Sequence, residues 1–269
     1  MNANPPIQPD IERLLLAGGT FDPPHRAHLR MAVQVAEATD CEQVLFMPAR
    51  RSPHKMGEDQ VPTPALHRVA MLEIALRELR TARSRTTCSE DNFDVDSGTP
   101  VLSLSMHEVM RPPPSYTVDT LEALREHVGE QVEIRLLMGA DQVIAFERWH
   151  AADRILQLAS PAVVLRPPLN DWAALREAAP QLDERWSGWL VPDIELDPVS
   201  ATDIRERIRR DLWASPDAHP QSVNDEPPAS TSASSRGLAA DCASPEPLDE
   251  LVPPEVLQYI REHNLYRPK

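Results

Sequence analysis

Short apolar runs alternate along the chain with longer stretches of helical composition, a pattern that predicts βαβ units and a mainly parallel sheet. The apolar runs predict strands at Arg13–Ala17, Gln43–Met47, Val132–Met138, Ala162–Leu165 and Trp189–Val191. A further strand is expected between Arg85 and Val95, where the acidic Ser89-Glu90-Asp91 blurs the limits. Helices are expected at Arg26–Ala38, Pro64–Thr81, Val118–His127, Ala151–Leu158, Trp172–Ala179 and Thr202–Leu212. Pro64 suits a first helical turn, with Thr63 before it as a cap. No internal repeat is visible.

The pattern stops at Ala214. From there to Pro247 the chain is rich in Ser, Pro, Ala and Asp, with almost no large apolar residue. Such a stretch cannot offset its ordering entropy by burial and is expected to be a disordered insert. After it, Pro253-Pro254-Glu255-Val256-Leu257-Gln258-Tyr259-Ile260 opens an amphipathic helix that ends near Asn264-Leu265-Tyr266. The expected organisation is therefore a flexible tail (1–10), one α/β domain (11–213), the low-complexity insert (214–247) and a C-terminal helix (248–269) packing on the same domain.

A chain of 269 residues can bury a substantial core. Its net charge of −15 argues against a general nucleic-acid binder, although a few local basic residues suffice for a nucleotide. Cys41, Cys88 and Cys242 are odd in number and scattered, which fits neither a disulfide framework nor a zinc site. No apolar stretch approaches a membrane span, and the N-terminus is polar rather than signal-like. A cytoplasmic protein without nucleic-acid or membrane partners is expected; a homo-oligomer is compatible with the sequence.

The richest chemistry lies in Gly18-Gly19-Thr20-Phe21-Asp22-Pro23-Pro24-His25-Arg26-Ala27-His28, between the first strand and the first helix. Glycines at a strand end let a ligand approach the backbone, and helix N-termini attract anions. His25 and His28 are spaced to share one side of the first helical turn. Taken singly, the glycines read as a turn and the histidines as surface residues. Together, with Thr20 and Asp22-Pro23-Pro24 between them, they point to a phosphate site.

Four other stretches carry chemistry. In Val199-Ser200-Ala201-Thr202-Asp203-Ile204-Arg205, two hydroxyls open a helix and an arginine follows within one turn. This is either an ordinary cap or a second anion site. Pro53-His54-Lys55 follows the second strand, at the edge where open α/β sheets place ligands. Ser115-Tyr116-Thr117-Val118-Asp119-Thr120-Leu121 reads as a helix cap at the least. Gly139-Ala140-Asp141 ends another strand at the ligand edge, and Trp149, eight residues beyond Asp141, is either core or ligand contact.

The first motif resembles that of the nucleotidylyltransferase superfamily, related to the His-Ile-Gly-His motif of class I aminoacyl-tRNA synthetases, with Ala27 where the family usually has glycine. Val199–Arg205 is similar to the family's Ile-Ser-Ser-Thr-x-Ile-Arg element, with Val199 and Ala201 as departures. Ser-Tyr-Thr-x-Asp-Thr-Leu, Gly-Ala-Asp-x-x-x-x-Phe-x-x-Trp and the terminal Tyr-Ile-x-x-His-x-Leu-Tyr occur in the order seen in bacterial nicotinate-mononucleotide adenylyltransferases. The resemblance spans Gly18 to Tyr266 apart from residues 85–105 and the insert.

The resemblance implies a Rossmann-like, doubly wound, mainly parallel sheet with flanking helices, the nucleotidylyltransferase fold. It implies adenylyl transfer from ATP to nicotinate mononucleotide, with Mg²⁺ arriving bound to ATP. His25, His28 and Arg205 would carry catalysis. Gly18, Gly19, Thr20 and Phe21 would hold ATP together with Gly139, Asp141, Ser200 and Thr202. Lys55, Tyr116, Thr117 and Trp149 would hold the mononucleotide, with Trp149 stacked on its ring. The alternatives are another acceptor (nicotinamide mononucleotide or phosphopantetheine), a non-catalytic nucleotide-binding regulator, or an interaction protein acting through the insert.

Overall fold

In the computed structural model, the structure describes residues 5–53, 61–87, 99–166, 169–195, 199–213 and 247–268. His54 and Lys55, residues 88–98 and nearly all of the expected insert (214–246) lie outside the described residues.

Five strands form one sheet: β1 (Arg13–Gly19), β2 (Gln43–Pro48), β3 (Val101–Leu104), β4 (Glu133–Gly139) and β5 (Ser160–Val164). Every pairing is parallel and the order is β3-β2-β1-β4-β5. This is the expected Rossmann-like, doubly wound α/β fold. Alternation along β1 explains its two layers: Leu15 and Ala17 face one apolar core, while Leu14 and Leu16 face the other.

The first core is covered by α1 (Arg26–Ala38) and α2 (Ala65–Thr87), which contribute Leu29, Ala32, Val35, Met71, Leu72 and Leu76. The second is covered by α4 (Thr117–Val128), α5 (Ala140–Ile144), α6 (Ala152–Leu158) and α7 (Trp172–Ala178). The short α3 (His107–Met110) precedes α4. The later helices α8 (Ala201–Trp213), α9 (Leu248–Leu251) and α10 (Pro254–Glu262) return to the first core, where Ile204, Ile208, Leu251, Val256 and Ile260 are buried. Among the described residues, no helix is long and apolar enough to cross a membrane.

Three expectations are corrected. Of the strand expected between Arg85 and Val95, Arg85 to Thr87 is still α2 and residues 88–95 lie outside the described residues; the strand beside β2 is β3, from Val101 to Leu104. That strand is only four residues long and interrupted by a serine, so it carries little apolar signal. Trp189–Val191 is not a strand: Glu184–Trp189 forms a 3₁₀ turn, and Leu190 makes a single bridge to Val163. The turn sets Trp186 and Trp189 ring to ring, 5.1 Å apart, and Pro192 has no N–H with which to extend a ladder. Residues 5–8, expected to be part of a flexible tail, are tied to the sheet. Buried Gln43 accepts from the Gln8 N–H at 2.8 Å and donates to the Pro6 carbonyl at 2.7 Å.

Candidate active site

The site begins where two strands part. β1 pairs with β2 as far as Gly19↔Pro48, but with β4 only as far as Leu16↔Leu136. Beyond that point the carboxyl ends of β1 and β4 diverge. This is where the strand order reverses, the position at which doubly wound sheets form their ligand crevice. Gly18 lies on its edge, and a Cβ added there would meet nothing within 4 Å, so the backbone is open to a ligand.

The chain then turns sharply through Phe21, in a left-handed conformation with φ of 50°. The Phe21 ring is buried edge-on against His28, with centroids 5.7 Å apart, and against Phe46 at 6.1 Å. His25 occupies the N-cap of α1 without a side-chain cap bond, and the first turn holds no acidic residue. The first N–H groups of α1 therefore give the crevice a positive end. His25 and His28 stack face to face, with centroids 3.7 Å apart and planes at 29°.

Burial, reinforced by His28, pushes the His25 imidazole from an ordinary 6.5 down to about 2. His25 is thus neutral at physiological pH, and its Nε2 is buried without a hydrogen-bond partner among the described residues. A neutral imidazole with a buried nitrogen can bond a phosphate oxygen once a ligand enters.

Arg205, one turn into α8, reaches across to this loop. Its guanidinium donates to the Asp22 carbonyl at 2.7 Å and to Thr202 Oγ1 at 3.0 Å. Ser200 is engaged differently. Its N–H and hydroxyl donate to Asp203 Oδ2 at 3.0 and 2.5 Å, and the Asp203 N–H returns a bond to Ser200 Oγ at 3.2 Å. This reciprocal cap starts α8 and holds the Ser200 hydroxyl to its own helix.

At the end of β4, Gly139 receives no capping side chain of its own. Its N–H donates to Gln142 Oε1 at 2.9 Å. Asp141 pairs with Arg166 at 3.1 Å, both side chains exposed, which sets an ion pair at the carboxyl ends of β4 and β5.

The stretches around Tyr116 and Trp149 also meet. The Tyr116 ring lies on His150, the neighbour of Trp149, with centroids 4.6 Å apart. Half-buried Trp149 packs on Phe146 at 5.5 Å. Tyr116 N-caps α4, so Thr117 is its first residue. Ser115 joins this helix start to the loop after β2: its Oγ accepts from the Arg50 N–H at 3.1 Å and its N–H donates to the Arg51 carbonyl at 3.1 Å.

Two supporting residues, Arg68 and Glu108, carry no motif in the sequence, and a third, Tyr266, stands there only as the end of the terminal motif. Arg68 is fully buried and donates to four carbonyls: Thr20 at 2.5 Å, Thr63 at 2.7 Å, Ala49 at 2.8 Å and Arg50 at 3.0 Å. It therefore pins the loops after β1 and β2 together. The signal was present, because Arg68 shares a helical face with Met71, Leu72, Ala75 and Leu76, and an arginine on an apolar stripe needs internal acceptors. Glu108, buried on α3, accepts the Thr120 hydroxyl at 2.7 Å, and burial pushes its carboxyl above the usual range. Tyr266 donates to Asp22 Oδ1 at 2.6 Å.

Fold and crevice together define a doubly wound α/β protein of the nucleotide-binding class. A family model described as cytidylyltransferase-like matches residues 16–207, and the chain belongs to this nucleotidyltransferase family. A relative from Thermomicrobium roseum is 36% identical over 199 residues, 74% of this chain and 81% of its own. One from Chromobacterium violaceum is 32% identical over 255 residues, 95% of this chain and 99% of its own. Both carry the name "probable nicotinate-nucleotide adenylyltransferase", and at the level of the family they support adenylyltransferase activity. The fold is shared with the Plasmodium falciparum nicotinic acid mononucleotide adenylyltransferase complexed with NaAD. That match has a TM-score of 0.58 at 14% identity and covers 95% of this chain and 97% of that one.

Proposed function

We propose that this protein transfers the adenylyl group of ATP to nicotinate mononucleotide, releasing pyrophosphate and forming nicotinate adenine dinucleotide. The observation that carries the reading is the stacked pair His25–His28 on the loop whose Asp22 carbonyl holds Arg205, at the crevice where β1 and β4 part. An oxygen of the mononucleotide 5′-phosphate attacks the α-phosphorus of ATP as the bond to the bridging oxygen breaks. That phosphate is already an anionic nucleophile near neutral pH, so no covalent intermediate on the protein is needed. Catalysis then rests on in-line positioning and on charge neutralisation.

His25 and His28 hold the triphosphate, with His28 nearest the reacting phosphorus. Gly18, Gly19, Thr20 and Phe21 let it approach the backbone. Arg205 and Thr202 neutralise the departing pyrophosphate. Gly139 and Asp141 complete the nucleotide side, and the Ser200 backbone contributes at the start of α8. Mg²⁺ bound to ATP would supply further charge neutralisation on the phosphates, in line with its reluctance to dehydrate and take protein ligands.

On the acceptor side, Lys55 holds the mononucleotide phosphate, an assignment resting on the Pro53-His54-Lys55 motif. Trp149 stacks on the pyridine ring. N–H groups around Thr117 favour a carboxylate, because an amide would set donor against donor.

The test is pyrophosphate release with ATP and Mg²⁺, comparing nicotinate mononucleotide, nicotinamide mononucleotide and phosphopantetheine as acceptors. Turnover with the nicotinate form far above the others is expected. Equal efficiency with nicotinamide mononucleotide would refute the reading of the ring site, and turnover with phosphopantetheine alone would replace the acceptor.

A further inference from the structure

The last described turn of the chain reaches back into the phosphate loop. Tyr266 donates its hydroxyl to Asp22 Oδ1 at 2.6 Å, across 244 residues of sequence, and the Thr63 N–H supplies Asp22 Oδ2 at 3.1 Å. The carbonyl of the same Asp22 accepts the Arg205 guanidinium at 2.7 Å. Asp22 is thus gripped at its carboxylate by the C-terminal segment and at its carbonyl by the cation assigned to pyrophosphate.

Both sides of this contact are built against local preference. Phe21, just before Asp22, has φ of 50°, while Asn264 and Tyr266 have φ of 51° and 61°. Aromatic residues resist this left-handed region, so the surrounding contacts must hold them there. Those contacts are present. The Leu265 N–H donates to the Ile260 carbonyl at 3.0 Å, and the Leu265 carbonyl accepts from Trp213 Nε1 at 3.1 Å. Trp213 closes the helix that carries Arg205. The terminal turn therefore touches α8 at one end and, through Asp22, the guanidinium near the other.

We infer that Tyr266 is a positioning residue for adenylyl transfer: through Asp22 it fixes where Arg205 presents its charge to the phosphates. The inference rests on the adenylyl-transfer reading above. Burial pushes the Tyr266 phenol upward, so it stays a hydrogen-bond donor across the working pH range. Its loss leaves a buried carboxylate oxygen short of a donor beside an anionic ligand, and Asp22 must then turn and take its carbonyl with it.

The test compares Tyr266→Phe, Arg205→Lys and the double variant in pyrophosphate release. The affinity of each for Mg²⁺ with a non-hydrolysable ATP analogue is measured by calorimetry. Tyr266→Phe keeps the ring and its packing. It is expected to lower kcat/KM for ATP about tenfold and analogue affinity about threefold. KM for the mononucleotide should stay within about twofold. Because the effect passes through Arg205, the double variant should lose little beyond Arg205→Lys alone.

Full additivity in the cycle, unchanged turnover of Tyr266→Phe, or equal damage to both substrates alongside a lowered Tm would each overturn the inference. If no acceptor supports turnover but Tyr266→Phe still weakens the analogue, and not in the Arg205→Lys background, the positioning role stands and the proposed reaction falls. Wild-type protein that does not bind the analogue would overturn both.

Discussion

The rings of His25 and His28 stack with centroids 3.7 Å apart, His25 buried and His28 half-buried at the edge of the crevice. Two imidazoles this close cannot both be charged cheaply without an anion between or beside them. In the proposed reaction the pair meets phosphate, with His25 as a neutral hydrogen-bonding partner and His28 nearest the reacting phosphorus.

Replacing His28 with Ala should therefore lower kcat about a hundredfold while changing ATP affinity only a few-fold, the pattern of an interaction that strengthens in the transition state. Steady-state turnover beside calorimetric binding of an ATP analogue checks this. Near-normal turnover would remove His28 from the mechanism.

The buried state of His25 has a consequence for stability. Its folded pKa of about 2 lies below the unfolded 6.5, so the unfolded chain binds the extra proton first. The stability associated with a neutral His25 is fully present above pH 6.5 and is lost progressively as pH falls below it toward 2. By pH 5 the loss attributable to this group should be about 2 kcal/mol. Urea melts at pH 7 and pH 5 on wild type and His25→Gln measure it. The variant should show a shallower decline, and identical slopes would contradict the assignment.

Arg68 should matter more than any exposed arginine. Arg68→Leu strips a donor from four carbonyls and should cost about 3 kcal/mol or more, whereas Arg68→Lys restores the charge but only part of the fork. Chemical denaturation of the two variants should rank them in that order. A Leu variant as stable as wild type would show that the loops hold without their shared donor.

Glu108 offers a more selective test. Glu108→Gln keeps an acceptor for the Thr120 hydroxyl and should be nearly neutral, since burial already favours the uncharged form. Glu108→Ala should cost about 2 kcal/mol and loosen the start of α4, raising KM for the mononucleotide several-fold with KM for ATP unchanged. Equal shifts in both KM values would place its role elsewhere.

Local signals made part of this legible. The leucine run of β1 and its closing glycines marked the strand end, and α1 begins and ends at the expected Arg26 and Ala38, because no breaker interrupts its apolar face. β3 escaped because its four residues include Ser103, whose inward hydroxyl is matched by Gln43 Nε2 at 2.7 Å, a pairing visible only after folding. The apolar run Trp189-Leu190-Val191 suggested a strand, yet the three-residue spacing of Trp186 and Trp189 suits a 3₁₀ turn. Motifs drew attention to the loop after β1 and the start of α8, which the structure brings together. They did not show what each hydroxyl and carbonyl is bonded to: Ser200 serves its own helix, and Asp22 joins Arg205 to Tyr266. Those partnerships join segments far apart in sequence, which short-range patterning does not encode.

The most direct test follows the phosphorus atoms. Protein incubated with Mg²⁺, nicotinate mononucleotide and ATP labelled separately at the α- or γ-phosphorus should place the α-label in a dinucleotide and the γ-label in pyrophosphate, in equal amounts. An α-label that stays in ATP or appears only in ADP, with the γ-label released as inorganic phosphate, would contradict adenylyl transfer.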